Sequence, residues 1–172
     1  MKQWLPVVIA VGATAAAVAF AVLYFTKDSE PKTVAVHPCG DRAFGHVRSL
    51  VRKGDLYELR FDPAWFTSGE TASTAAAEDG AVEPGQPVPN DNYVVDESHR
   101  LLTYHVGPNP HVTVLTRHGN PANFGATSIS VAELAKIVHG ASRLDLFEPL
   151  DSGVWIRPRI DTVCALDQQY RP

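Results

Sequence analysis

The chain has 172 residues, 45% of them hydrophobic and 20% charged, and a formal net charge of -4. That balance leaves no surplus of lysine and arginine to neutralise a phosphate backbone, which argues against a nucleic-acid partner. Two cysteines are too few for a cysteine-dense scaffold.

Leu5 to Phe25, LPVVIAVGATAAAVAFAVLYF, carries no charge. As a helix, these roughly 21 residues span about 31 Å, close to the hydrocarbon thickness of a bilayer. Lys2 and Ala19-Phe20-Ala21 also fit a cleavable signal peptide. Cleavage there would leave apolar Val22-Leu23-Tyr24-Phe25 at the new terminus, so the segment is expected to remain as an anchor. Trp4, Tyr24, Phe25 and Lys27 are placed as interfacial residues. Ala13, Ala17 and Ala21 form a small-residue face that would allow a transmembrane homodimer, or are simply part of an alanine-rich helix. Thr26 to Pro38 is polar and holds two prolines, which suits a stalk.

Phe44 to Val51 and Leu56 to Phe61 read as a hairpin, with Tyr57, Leu59 and Phe61 on the core face and Glu58 and Arg60 on the wet one. His46 and Arg48 are then expected as cross-strand partners of Glu58. Phe61 and Trp65 are expected in the core where the hairpin meets the first helix. Thr67-Ser68-Gly69-Glu70 has capping-box form, with Thr67 starting a helix that runs to about Asp79 and ends at Gly80. The proline- and glycine-rich loop from Gly80 to Asn92 follows, with Pro84 to Pro89 either a polyproline recognition segment or a plain exposed loop. Short strands are expected at Tyr93 to Asp96, Leu101 to Val106 and Val112 to Thr116, the last two separated by Gly107-Pro108-Asn109-Pro110.

After an irregular loop, Ser130 and Glu133 form a capping box for a helix from Val131 to His139, with Ile129 and Leu134 as its hydrophobic staple and Gly140 at its end. Val154 to Ile160 and Thr162 to Leu166 close the domain as a hairpin in which Pro158 belongs at an edge or bulge. The pattern predicts an α+β fold: a mainly antiparallel curled sheet, or a partly open small barrel, with two inserted helices, behind the transmembrane helix.

The series Gly45-His46-Val47, Phe61-Asp62-Pro63-Ala64-Trp65, Thr67-Ser68-Gly69-Glu70, Glu78-Asp79-Gly80 and Pro89-Asn90-Asp91-Asn92-Tyr93 resembles a pattern in small, uncharacterised, exported or membrane-anchored bacterial proteins. The resemblance covers roughly residues 44 to 117 and implies export but no activity. The lysine and arginine count, Lys2 against Lys27, Lys32 and Arg42, leans toward a cytoplasmic domain. The signal-like start, the resemblance and the cysteines outweigh it: Cys39 opens the domain and Cys164 nearly closes it, as one bridge in an oxidising compartment would require. Two unbridged thiols would suit a cytoplasmic domain instead. The expected organisation is a transmembrane signal anchor over 1–27, a polar stalk over 28–39 and an extracytoplasmic domain over 40–172.

The G-x-S-x-G, H-E-x-x-H, C-x-x-C, P-loop and G-x-G-x-x-G patterns are all absent, so no catalytic residue is assigned and no cofactor is expected. His99, His105, His111 and His118 recur near strand ends without zinc-ligand spacing. Asn90, Asp91 and Asp96, with Asn92 and Glu97 beside them and Glu78 and Asp79 across the loop, gather the oxygen ligands calcium prefers. The competing account is ordinary turn chemistry before a strand. Trp155, Arg157 and Arg159 alternate onto one strand face and form the candidate ligand surface, suited to an anionic envelope polymer or a protein partner. Otherwise the tryptophan covers an edge and the arginines pair with Asp151 or Asp161. The function expected is a membrane-tethered, non-enzymatic domain that binds or supports an envelope component or protein partner. The alternatives are an envelope hydrolase with an unrecognised acid pair or metal site, and an assembly protein acting through its transmembrane helix.

Overall fold

A computed structural model describes residues 39–96 and 100–171. The expected anchor, the stalk before Cys39, Glu97 and His99 lie outside them. Among the described residues no helix is long and apolar enough to cross a membrane.

The elements in chain order are β1 (Ala43–Lys53), β2 (Leu56–Pro63), β3 (Trp65–Ser68), α1 (Gly69–Glu78), β4 (Asn92–Val95), β5 (Leu102–His118), β6 (Asn120–Ser128), α2 (Val131–Val138), β7 (Val154–Arg159) and β8 (Thr162–Gln168). Strands β2, β1, β7, β8 and β5 are neighbours in that order, and β2 also pairs with β5, so five strands close into a barrel. The barrel is thus shut rather than partly open. All of its pairings are antiparallel except β5 with β8. Strand β6 extends the sheet beyond β5, and β3 pairs with β4 as a separate ribbon.

Closure depends on the length of β5. Its first part pairs with β2, Tyr57 opposite Val106 and Phe61 opposite Leu102, and its second part pairs with β6. Gly107-Pro108-Asn109-Pro110, expected to separate two strands, does not reverse the chain. It is taken up as a register shift between Val106 and His111 against β8. The stretch read as an irregular loop is β6, which pairs with β5 at the edge of the sheet.

Alternation places Leu50, Leu59, Phe61, Ile156, Val163 and Leu166 in one buried core, which Val131 and Leu134 of α2 join. Helix α2 starts as its sequence predicts: the Glu133 N–H donates to Ser130 Oγ at 3.1 Å, and Gly140 follows its end at φ 70°. Glu133 also accepts from Lys136 and Ser142, and these bonds, that of Lys136 foremost, hold its carboxyl below the usual glutamate range. The resulting stabilisation is present above the unfolded-state value and is lost as pH falls through the depressed one. An NMR titration should therefore place the Glu133 midpoint below that of an ordinary glutamate, and Lys136→Met should raise it; a midpoint indifferent to that substitution would refute the pairing.

Helix α1 begins differently. Thr67 belongs to β3 opposite Tyr93 and donates its hydroxyl to the Tyr93 carbonyl at 2.9 Å, so it is spent on the β3–β4 ribbon. Ser68 becomes the N-cap without a side-chain bond. Ala72 and Ala76 are the buried face, small enough to let the helix lie close.

Arg48 does not partner Glu58. A bulge between Val47 and Ser49 makes Arg48 the extra residue of β1. It reaches Asp62 instead, with Nε at 2.8 Å and Nη2 at 2.6 Å from Oδ2. His46 donates from Nδ1 to the Asp151 carbonyl at 3.0 Å. The Asp62 side chain is only 7% exposed, and its Oδ1 has no hydrogen-bond partner among the described residues. Arg48→Ala would strand that carboxylate and is expected to cost about 3 kcal/mol, discounted from a fully buried pair because Arg48 is half exposed. Urea unfolding measures it, and a loss matching an ordinary surface substitution would refute the argument.

At the closing hairpin, Arg157 faces Ala165 and Pro158 faces Val163, which leaves Cys164 as the extra residue of a bulge in β8. The ladder defect that proline requires is there. Cys164 is bonded to Cys39, their Cα atoms 6.2 Å apart, and the Gly40 N–H donates to the Pro158 carbonyl at 3.0 Å. A side chain at Gly40 would meet that carbonyl oxygen at 2.3 Å, so only glycine allows the approach.

Candidate functional site: an aromatic cleft outside the barrel

Side chains alternate along β1 and β7, so the residues beside the buried Val154 and Ile156 face outward. Phe44 and Trp155 are register partners on that outer face. The chain leaving β2 crosses beside them: the Ala64 N–H donates to the Phe44 carbonyl at 3.0 Å, and Trp65 and Phe66 follow in β3. In an extended segment, adjacent residues point to opposite sides. Phe66 accordingly packs onto Phe44 and Trp155 with ring centroids 5.2 and 5.9 Å away, while Trp65 is 67% exposed. Trp65 therefore is not the core residue its sequence context suggests. Strand β3 departs from the barrel to pair with β4 and carries it outside.

Phe44 is the buried floor of the group. Its ring lies against Gly153, at φ 115°, where an added Cβ would sit 2.3 Å from the ring. Phe44 meets Trp155 at 5.2 Å, edge to face. The Trp155 indole is fixed by an Nε1–H bond to Gln169 Oε1 at 2.6 Å, and the Arg42 guanidinium lies 4.7 Å above its ring. Such a cation over an indole face is attracted by the ring quadrupole.

These residues, with Ala43, Pro63 and Ala64, line a cleft of about 590 Å³. That is within the range of small-ligand and side-chain sites. Its walls are aromatic and proline rings, and Arg42 is the one charged residue among the described residues that line it. Among the described residues that line it there is no carboxylate, imidazole, thiol or hydroxyl. A hollow of about 550 Å³ lies beside α1, walled by Glu70, Glu78, Pro84 and Pro87, and one of about 410 Å³ lies beside Asn92, Glu148 and Arg171.

Of the candidate ligand residues, Trp155 is in the cleft. Arg157 and Arg159 continue along β7 in exposed positions and do not line it. Neither is paired with Asp151 or Asp161 among the described residues; Asp161 Oδ1 accepts from the Thr162 hydroxyl at 3.1 Å. The candidate calcium ligands do not converge. Asn90 and Asp91, both at positive φ, form the turn before β4, and the exposed Asp96 follows its far end. Five strand steps of about 3.3 Å place Asp91 and Asp96 roughly 16 Å apart, too far to share an ion. Among the described residues no three His, Cys, Asp or Glu side chains are grouped to hold a metal. His105, His111 and His118 are exposed and scattered along β5.

Sequence reasoning does not place Arg42, Phe44, Trp65 or Phe66 in a site, and it expects Trp65 in the core. The available signal was the Trp65-Phe66 dipeptide, because two adjacent large aromatics in an extended segment cannot both enter one core. No protein-family model, curated protein or solved structure matches the chain.

Proposed function

We propose that the chain is a membrane-tethered, extracytoplasmic, non-enzymatic binding domain, and that the aromatic cleft is where it engages an envelope component or protein partner. The carrying observation is Trp65: a large indole 67% exposed on the rim of a ring-lined cleft. Folding gains little from that exposure, whereas aromatic anchors over a preformed hollow are where binding energy concentrates. The described lining, aromatic and proline rings with the Arg42 cation beside them, supports binding. The charge-free Leu5 to Phe25 stretch supports tethering, and the Cys39–Cys164 bridge supports a domain outside the cytoplasm.

Trp65→Ala tests the reading. Its stability is expected to stay within about 0.5 kcal/mol of the parent, as for other exposed substitutions. Capture of the native partner by crosslinking in membranes should fall at least roughly tenfold, the loss expected of an interface anchor. Undiminished capture would remove the cleft from the binding reaction.

A further inference from the structure

We propose that the β7–β8 turn is a lipid-contacting tip, with Ile160 set into an anionic bilayer surface and Arg157 and Arg159 on its phosphates. It rests on the tethering reading above and adds a second surface to the cleft. The turn has two residues, Ile160 and Asp161, between the paired Arg159 and Thr162. Ile160 has φ 58° and is 93% exposed. Two-residue turns take glycine, asparagine or aspartate at positive φ, because a branched Cβ clashes there. At this position isoleucine brings backbone strain and gains no burial, so folding does not account for it. Strain of this kind points to use.

The neighbouring charges fit a lipid surface. Strand β7 contains no extra residue, so Arg157 and Arg159 keep one face, both exposed and without an ion pair among the described residues. Asp161 opposes them with a single charge, and its carboxylate accepts the Thr162 hydroxyl.

The position fits as well. The chain preceding the domain joins it at Cys39, bonded to Cys164, and at Gly40, bonded to Pro158. Ile160 is two residues, about 7 Å, from that junction. A stalk of about 12 residues reaches at most roughly 40 Å, so the tip is held at high local concentration beside the bilayer and a weak contact is enough. Each arginine near an anionic surface is expected to favour contact by about fivefold.

The full chain would be placed in nanodiscs of phosphatidylcholine alone or mixed with phosphatidylglycerol, and amide hydrogen exchange of residues 157–162 followed. Exchange in the anionic discs should be several-fold slower than in the neutral ones. The difference should vanish in R157E/R159E. It should shrink in Ile160→Asn, which suits positive φ and so keeps or raises the melting temperature. Equal exchange in both discs overturns the proposal, as does protection produced by dextran sulfate but not by lipid. If the chain fails to insert, tethering fails separately; co-sedimentation of that chain with phosphatidylglycerol vesicles, lost in R157E/R159E, then supports the tip, and its absence overturns it.

Discussion

Replacing Cys39 and Cys164 together with serine should produce the largest stability loss of any change that leaves the core intact. The bond joins residues 125 apart in sequence. In the chain-entropy model, opening a loop of that length costs about 5 kcal/mol, nearly half the stability of many domains. The native contacts around it reinforce the expectation. Cys164 is the bulged residue of β8 beside Pro158, where the ladder is interrupted, and the Gly40–Pro158 hydrogen bond is the neighbouring backbone link that pins the start of the domain to this hairpin. Without the covalent link, residues 39–42 would fray first, carrying Arg42 away from Trp155. Guanidinium unfolding of parent and double-serine variant measures the loss. A difference under about 1 kcal/mol would mean that the unfolded chain is not constrained as the entropy model requires.

How much of this was legible beforehand depended on whether a segment's partner was its neighbour. The first and last hairpins, α2 with its Ser130 cap, and the Pro158 irregularity follow from local rules, and the structure shows each of them. The cysteine placement pointed to the bridge that is present. Readings failed where a distant segment intervened. Thr67 satisfies a capping rule, but Tyr93 lies across from it and takes its hydroxyl. Arg48 alternates correctly toward Glu58 until the bulge at that residue sends it to Asp62. Gly107-Pro108-Asn109-Pro110 has turn composition, yet β8 runs beside both flanks and keeps them as one strand. The cleft was half legible for the same reason. Trp155 stands out as an outward residue of a strand, whereas its companions come from β1 and β3, which meet it only once the barrel closes.

Phe61→Ala should cost about 3–5 kcal/mol, while the tryptophan four residues later is dispensable for folding. Phe61 is fully buried and is paired on both sides, opposite Val47 in β1 and opposite Leu102 in β5. It therefore stands at the seam where β2 joins β5 and the barrel shuts. Its ring meets Tyr104 edge-on at 6.2 Å, and its tip lies 2.7 Å from where a Gly45 side chain would begin, so the space it fills is bounded on every strand of the seam. Truncation leaves a cavity that such a closed wall cannot collapse to fill, and the lost packing adds to the lost burial. For a domain of this size, the melting temperature should fall by more than about 10 °C. The contrast with Trp65→Ala is the decisive part of the measurement. Both residues lie in the same Phe-Asp-Pro-Ala-Trp run, but only one belongs to the barrel. If the two variants melted together, the strand β3 residues would not be outside the core, and the cleft they border would lose its basis.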